Sequence, residues 1–273
     1  MILTHRGRPP AVSGMGLHSS VYEVLRGVRN WMIPVADPLY ALRGLQGYRW
    51  YFADWQRYAR MAQAEPIRWA NTFPCLHDRT STTAIDPHYF YTNGWAMRRI
   101  VATSPQFHVD IGSQIIFANL LGGIIPTIFL DYRPLEARLS GLQCIGGSLL
   151  ALPFANQSVP SLSCLHVIEH IGLGRYGDPL DPAGTRKAAQ ELARVLAPGG
   201  NLFLATPVGW PRLCFNAHRI HAVETICEYF SDLELVELSG VHDDGRFVER
   251  VVGLSEFQNS EYACGLFLFK KGR

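Results

Sequence analysis

No Cys-x-x-Cys pair occurs among the six cysteines, which are scattered at Cys75, Cys144, Cys164, Cys214, Cys227 and Cys264. In a chain of 273 residues that pattern excludes a dense disulfide framework and leaves reduced, buried thiols as the expectation. Long apolar runs are missing too. The longest, residues 115–130, is broken by Asn119, two glycines and Pro126 and flanked by Asp110 and Asp131, which fits a buried strand-helix-strand and not a bilayer span. Residues 1–16 carry Arg6, Arg8, Pro9 and Pro10 and no apolar core segment, so no secretory signal is expected and a cytoplasmic location is. Neither an internal repeat nor a low-complexity tract is present.

Charge is sparse, at 18%, against 48% hydrophobic residues, the balance of a globular chain with a sizeable core. The net charge of +2 hides an asymmetry. Residues 1–100 hold 12 arginines against 6 acids, and the remainder is acidic. The basic part also holds Trp31, Trp50, Trp55, Trp69 and Trp95. Such a mixture suits a membrane surface or an anionic partner. The plainer reading, an amphipathic helical layer with solvated arginines, is favoured. Nucleic acid is not an expected partner, and oligomeric state is left open.

Helical spacing is read over residues 21–31 and 38–64, with 1–20 expected to be mobile and 66–83 irregular. A further helix is expected over 87–102. From residue 107 strands and helices alternate: strands at 107–111, 125–130, 142–145, 163–167, 201–205, 233–238 and 262–269, and helices at 114–121, 135–140, 183–196 and 222–230. That alternation predicts a mostly parallel sheet covered on both faces. The division expected is a helical, basic and aromatic extension over 1–85 and an α/β domain over 86–273.

In an open α/β sheet the ligand lies beyond the carboxyl ends of the strands. The first strand ends Asp110-Ile111-Gly112-Ser113, an acid and a tight turn, and Asp131 follows at the end of the second. An acid there can accept hydrogen bonds from both ribose hydroxyls. Strand four gives way to His166-Val167-Ile168-Glu169-His170, and strand five is followed by Phe215-Asn216-Ala217-His218-Arg219-Ile220-His221. Between them runs a turn-rich segment from Gly172 to Pro182, a candidate lid, in which Asp178 and Arg175 can meet a polar acceptor and Asp181 can cap the next helix.

These parts, in this order, resemble the class I S-adenosylmethionine-dependent methyltransferases, and more narrowly a poorly characterised methyltransferase-like group. The narrower likeness is carried by the run Asp86-Pro87-His88-Tyr89-Phe90-Tyr91, by Asp110-Ile111-Gly112-Ser113, by residues 166–182 and by Phe215-Asn216-Ala217-His218-Arg219. The resemblance implies a Rossmann-like, seven-stranded, mostly parallel sheet with an antiparallel last strand, S-adenosylmethionine as cofactor, and transfer of a methyl group. Asp110, Gly112, Ser113, Asp131, Ser148 and Leu149 would then hold the cofactor. His166, Glu169, His170 and His218 would be the catalytic candidates, and Arg175, Tyr176, Asn216 and Arg219 would meet a small polar acceptor such as a sugar or glycan precursor. The chain departs from the family's Asp-x-Gly-x-Gly-x-Gly pattern, with Gln114 and Ile116 where glycines are expected. That departure supports an alternative, a binding or scaffold protein without turnover. A remoter alternative is a zinc hydrolase built on His166-x-x-Glu169-His170, and His218, His221 and Glu224 form another possible metal set.

Overall fold

The computed structural model describes residues 38–67 and 69–273. The helix expected over 21–31 and the mobile segment expected over 1–20 lie outside the described residues. The chain divides into two compact units, Met1–Ile85 and Asp86–Arg273.

In the first unit, helix α1 (Pro38–Ala59) stops five residues short of the expected 38–64 span. Its aromatic side chains meet one another: Tyr48 stacks on Phe52 at 5.9 Å, and Trp55 lies 5.9 Å from Trp69 on a short 3-10 turn. Arg79 sits over the Trp50 ring at 5.1 Å and pairs with Asp54 at 3.1 Å. No helix among the described residues is long and apolar enough to cross a membrane.

The second unit opens with α2 (Pro87–Thr103). Asp86 caps it by accepting from the Tyr89 amide, and Pro87, which lacks the N–H that would go unpaired there, takes the first helical position. Thr92, Trp95, Ala96 and Ile100 recur at helical spacing and are buried. Trp95 meets Phe203 edge-on and donates its indole N–H to Glu237 at 2.8 Å.

The sheet has eight strands: β1 (His108–Ile111), β2 (Thr127–Asp131), β3 (Leu142–Gly146), β4 (Val159–Leu165), β5 (Leu196–Val208), β8 (Leu233–Val241), β9 (Phe247–Val248) and β10 (Ala263–Lys271). Their spatial order is β3-β2-β1-β4-β5-β10-β8-β9. The first five run parallel, and β10 lies antiparallel between β5 and β8. This is the expected mostly parallel sheet with its last strand reversed, extended at one edge by the two residues of β9. Strands β6 (Arg212–Cys214) and β7 (His218–Ile220) form a separate hairpin that the sequence reading did not foresee. Helices α3 (Ile115–Gly122), α4 (Gly184–Val195) and α5 (Val223–Tyr229) follow the expected helices closely. The apolar run at 115–130 thus resolves into α3 and β2.

Three expectations need correction. Strand five runs from Leu196 to Val208, five residues before and three past the expected 201–205. Residues 135–140 are not helical. Pro134 precedes them, a span of six residues gains too little to nucleate a helix, and Leu139 instead bridges Leu142. Strand four begins at Val159, four residues early, and ends before His166. Pro160, which cannot donate to the ladder, is accommodated by a register irregularity between Val159 and Ser161. The six cysteines are free; Cys164 and Cys264 are buried as expected, whereas Cys75 is exposed and the other three are half-buried.

Candidate functional site

The residues after β1, β2, β3 and β4 enclose a cleft at the carboxyl ends of the parallel strands. It holds about 710 Å³ with its solvent-filled mouth. The strand order reverses between β1 and β4, so the cleft occupies the switch point where α/β sheets bind ligands.

One wall is made by Gly112, Asp131, Ser148 and Leu149. Gly112 has φ +61° and donates its N–H to Leu130. A side chain there would press on Val167 at 3.4 Å and approach Asp131 Oδ2 at 3.6 Å, so the turn needs glycine both for its backbone and for its closeness to the carboxylate. Asp131 Oδ1 accepts from the Arg133 amide at 2.8 Å, which fixes the carboxylate with Oδ2 toward Gly112. Ser148 holds its own turn by accepting from Leu150 N–H, and Leu149, 4% exposed, is an apolar wall.

Gln114 and Ile116 do not reach this cleft. Gln114 precedes α3 and its Oε1 accepts from Asn93 at 2.7 Å, while Ile116 is 66% exposed. Neither side chain is part of the cleft lining.

Asp110 and Ser113, expected to hold a cofactor, do not line the cleft. Asp110 is fully buried and accepts from the Ser113 amide at 3.1 Å and from the Ser163 hydroxyl. Burial pushes its carboxyl up to about 6. The Ser113 hydroxyl accepts from the Leu165 amide at 3.1 Å. Both residues brace the Gly112 turn from below. The Ser163 hydroxyl, already donating to Asp110, must accept from His108 Nε2 at 2.8 Å, so the His108 Nδ1 accepts from Ser161. Burial pushes the His108 ring down to about 3, which keeps it neutral.

The opposite wall is formed by His166, Val167, His170 and Ile171, closed over by Tyr176, Asp178 and Pro179. His166 follows β4 with φ +59°, a left-handed conformation that is strained for a residue with a side chain. Glu169, 1% exposed, lies beneath. Its Oε1 is 3.4 Å from His166 Nδ1 and 3.8 Å from His170 Nε2, and Oε2 accepts from Thr206 at 3.5 Å. Burial works against the Glu169 charge, but the His170 ring and the bond from His166 outweigh it and hold the carboxyl below its usual range. Burial likewise opposes a charged His166, yet Cys264 and Glu169 beside the ring carry its pKa well above the usual value. His170 is lowered, chiefly by burial. Its Nδ1 is 2.6 Å from the Ala217 carbonyl, so Nδ1 donates and Nε2 carries the lone pair.

The remaining candidates divide. Tyr176 lines the cleft with Arg133 over its ring at 4.5 Å and Arg175 at 5.2 Å. Arg175 also donates to the Ala217 carbonyl at 3.0 Å. His218 is packed against Tyr262 at 4.9 Å, and burial lowers it to about 4. Asn216 is exposed at the tip of the β6–β7 hairpin, outside the cleft lining. Arg219, expected to meet substrate, is spent on the chain itself. It donates to the Ile171 carbonyl at 2.6 Å, Thr185 at 3.2 Å and the Asp181 carbonyl at 3.2 Å, stapling the lid segment. Asp178 closes the same segment by accepting from the Gly172 and Tyr176 amides, and Asp181 accepts from Ala183 N–H.

The zinc-hydrolase pattern does not assemble. Ile168–His170 is a single 3-10 turn with His166 outside it, so the two histidines do not share a helical face, and both turn to Glu169. His221 is buried and its Nε2 has no hydrogen-bond partner. Three residues without a role in the sequence reading join the site: His88, Thr92 and Cys264 approach His166 from α2 and β10. Nothing in their spacing, with Cys264 at 98 residues from His166, could have signalled this.

A family model described as a Caenorhabditis protein of unknown function, DUF268, matches residues 155–246. No curated protein matches the chain. Among solved structures, the N-methyltransferase NodS from Bradyrhizobium japonicum, in complex with S-adenosyl-L-homocysteine, is 15% identical with a TM-score of 0.49, covering 80% of this chain and 96% of that one. The YcgJ protein from Bacillus subtilis is 14% identical with a TM-score of 0.47, covering 67% of this chain and 99% of that one. An S-adenosylmethionine-dependent methyltransferase from Thermotoga maritima, a possible histamine N-methyltransferase, is 16% identical with a TM-score of 0.45, covering 67% and 93%. The mostly parallel sheet with β10 reversed between β5 and β8 is the arrangement expected from the sequence.

Proposed function

We propose that the cleft binds S-adenosylmethionine and that the chain transfers its methyl group to a small polar acceptor. The observation that carries this reading is the Asp131 carboxylate fixed beside the positive-φ turn at Gly112, at the switch point of a parallel sheet. Asp131 Oδ2 would accept from the ribose hydroxyls. Leu149 and Ser148 would meet the adenine, the first by apolar contact and the second through its hydroxyl. The bond of Gln114 to Asn93, outside the cleft lining, supports this reading over a scaffold without cofactor.

When bound, the cofactor supplies an electrophilic methyl on a sulfonium. Transfer is an in-line displacement, so the protein contributes chiefly proximity and orientation. His170 is placed to take a proton from an acceptor hydroxyl or amine. Its Nδ1 is held by the Ala217 carbonyl, its Nε2 is free to accept, and Glu169 lies 3.8 Å away to steady the charged ring that results. Tyr176 and Arg175 would orient the acceptor under the lid. An oxygen-rich acceptor such as a sugar or glycan precursor suits these groups.

Calorimetry with S-adenosylmethionine tests the reading. Binding that Asp131→Ala weakens about a hundredfold and His170→Ala retains is expected, with His170→Ala slowing turnover about a hundredfold or more once an acceptor is found. No heat of binding at millimolar cofactor overturns it.

A further inference from the structure

His88, His166 and Cys264 each point a ligand atom at the same small volume, and the three atoms lie within 4.8 Å of one another. They come from three elements: His88 from the first turn of α2, His166 from the end of β4, and Cys264 from the start of β10. The sheet sets β5 between β4 and β10, so the His166 ring reaches across β5 to bring Nε2 within 3.4 Å of Cys264 Sγ. We propose that this His2Cys cluster is a divalent metal site, of the borderline-soft class that zinc represents.

Four features argue for it. The first is distance. With Zn–S about 2.3 Å and Zn–N about 2.0 Å, neighbouring ligand atoms of a tetrahedral site stand about 3.5 Å apart, close to the separation of Cys264 and His166. The second is the donor set, since thiolate with imidazole selects zinc over the hard cations. The third is the outer partner of His166. Glu169 faces Nδ1 at 3.4 Å, which directs the Nδ1 proton to the carboxylate, so an ion that displaces the Nε2 proton meets the lone pair on the side of Cys264. A carboxylate behind a histidine is the usual support of a metal ligand, because it fixes the tautomer and raises ligand basicity. The fourth is backbone strain. His166 holds φ +59°, a conformation that is strained for a residue with a side chain and that persists where the surroundings demand it. This geometry sends the ring back over the sheet toward Cys264.

The rings are also ordered for the task. His88 stacks on His166 at 6.0 Å and 10°, and Tyr262 lies against the His88 ring at 5.2 Å. The Thr92 hydroxyl sits 3.5 Å from His166 Nε2 and 3.6 Å from Cys264 Sγ, so it or a water takes the fourth position. Cys264 and Thr92 have no exposed surface, which suits an ion that fixes structure better than a thiol awaiting a substrate. His166 also lines the cleft, so the ion would set the position of the side chain between cofactor and acceptor. The inference does not rest on cofactor binding.

Titrating the metal-stripped full chain with Co²⁺ tests it. One equivalent is expected to give a thiolate-to-cobalt charge-transfer absorption that Cys264→Ser removes, although the other five cysteines remain. His88→Gln, at a half-buried position, is expected to weaken cobalt binding about tenfold or more, as is Glu169→Gln. Circular dichroism verifies that each variant is folded, and Asp131→Ala is expected to keep the full absorption. No charge-transfer band in the wild-type chain, or a band of unchanged affinity in His88→Gln and Cys264→Ser, overturns the proposal.

Discussion

The two walls of the cleft are built on different principles. Residues 109–165, which supply the wall from β1 to β3, contain no histidine. That wall consists of backbone turns, an apolar Leu149 and one carboxylate, Asp131. Residues 166–221, which supply the other, hold four histidines around the buried Glu169, and His88 joins them from α2. The first wall offers shape and a single charge. The second concentrates titratable groups whose protonation is set by burial and by one another. On the function proposed above, binding falls to the first wall and chemistry to the second.

The largest effect that should divide them is acid. His108, bonded to Ser161 and Ser163 of β4, has a folded pKa of about 3. An unfolded chain takes up that proton near pH 6.5, so the stabilisation is complete above about pH 6.5 and drains as pH falls toward about 3, by up to ~5 kcal/mol. Asp110, raised to about 6, acts in the opposite sense: its contribution falls as pH rises from about 4 to about 6, by up to ~3 kcal/mol. Denaturation midpoints across pH should show a net acid loss, and His108→Gln should flatten it. Unchanged pH dependence in that variant would mean that the ring is charged or solvated.

Next in size, Asp131→Ala should remove two charge-assisted hydrogen bonds to the cofactor, ~3 kcal/mol together, or about a hundredfold in Kd. Gly112→Ala should cost ~1–2 kcal/mol through its φ of +61°, about tenfold in cofactor affinity, with the methyl group meeting Val167. Arg219→Ala should act on the other wall only. Losing its bonds to the Ile171 and Asp181 carbonyls should speed hydrogen exchange across residues 171–182 while leaving cofactor affinity within about twofold. The smallest effect belongs to Gln114→Ala, which breaks an exposed bond to Asn93 and should change affinity by less than ~0.5 kcal/mol. A large loss there would place Gln114 in the cleft after all.

The first wall was legible in the sequence because its parts are local. An acid-glycine turn after a strand, an acid closing the next strand and an apolar residue after the third are signalled by spacing alone. Asp110 and Ser113 share that motif but face the interior, since the turn that presents Gly112 directs their side chains to Ser163 and Leu165. On the second wall the sequence displayed the histidines without their partners. Arg219 has the look of a substrate contact, yet three hydrogen bonds tie it to the lid and its helix. The hairpin of β6 and β7 went unseen because three-residue strands have no room for alternation. The segment 135–140 has helix-forming residues, but neighbours claim its backbone.

By itself the chain order determined most strands and helices of the second unit and where the turns at Gly112 and Asp131 fall, because hydrophobic period and turn residues act over a few positions. Only the packed sheet decided that Gln114 leaves the cleft, that Arg219 serves the lid, and that Cys264 arrives beside His166. The reason is that β10 folds back between β5 and β8, and such a return brings together residues that no local pattern relates.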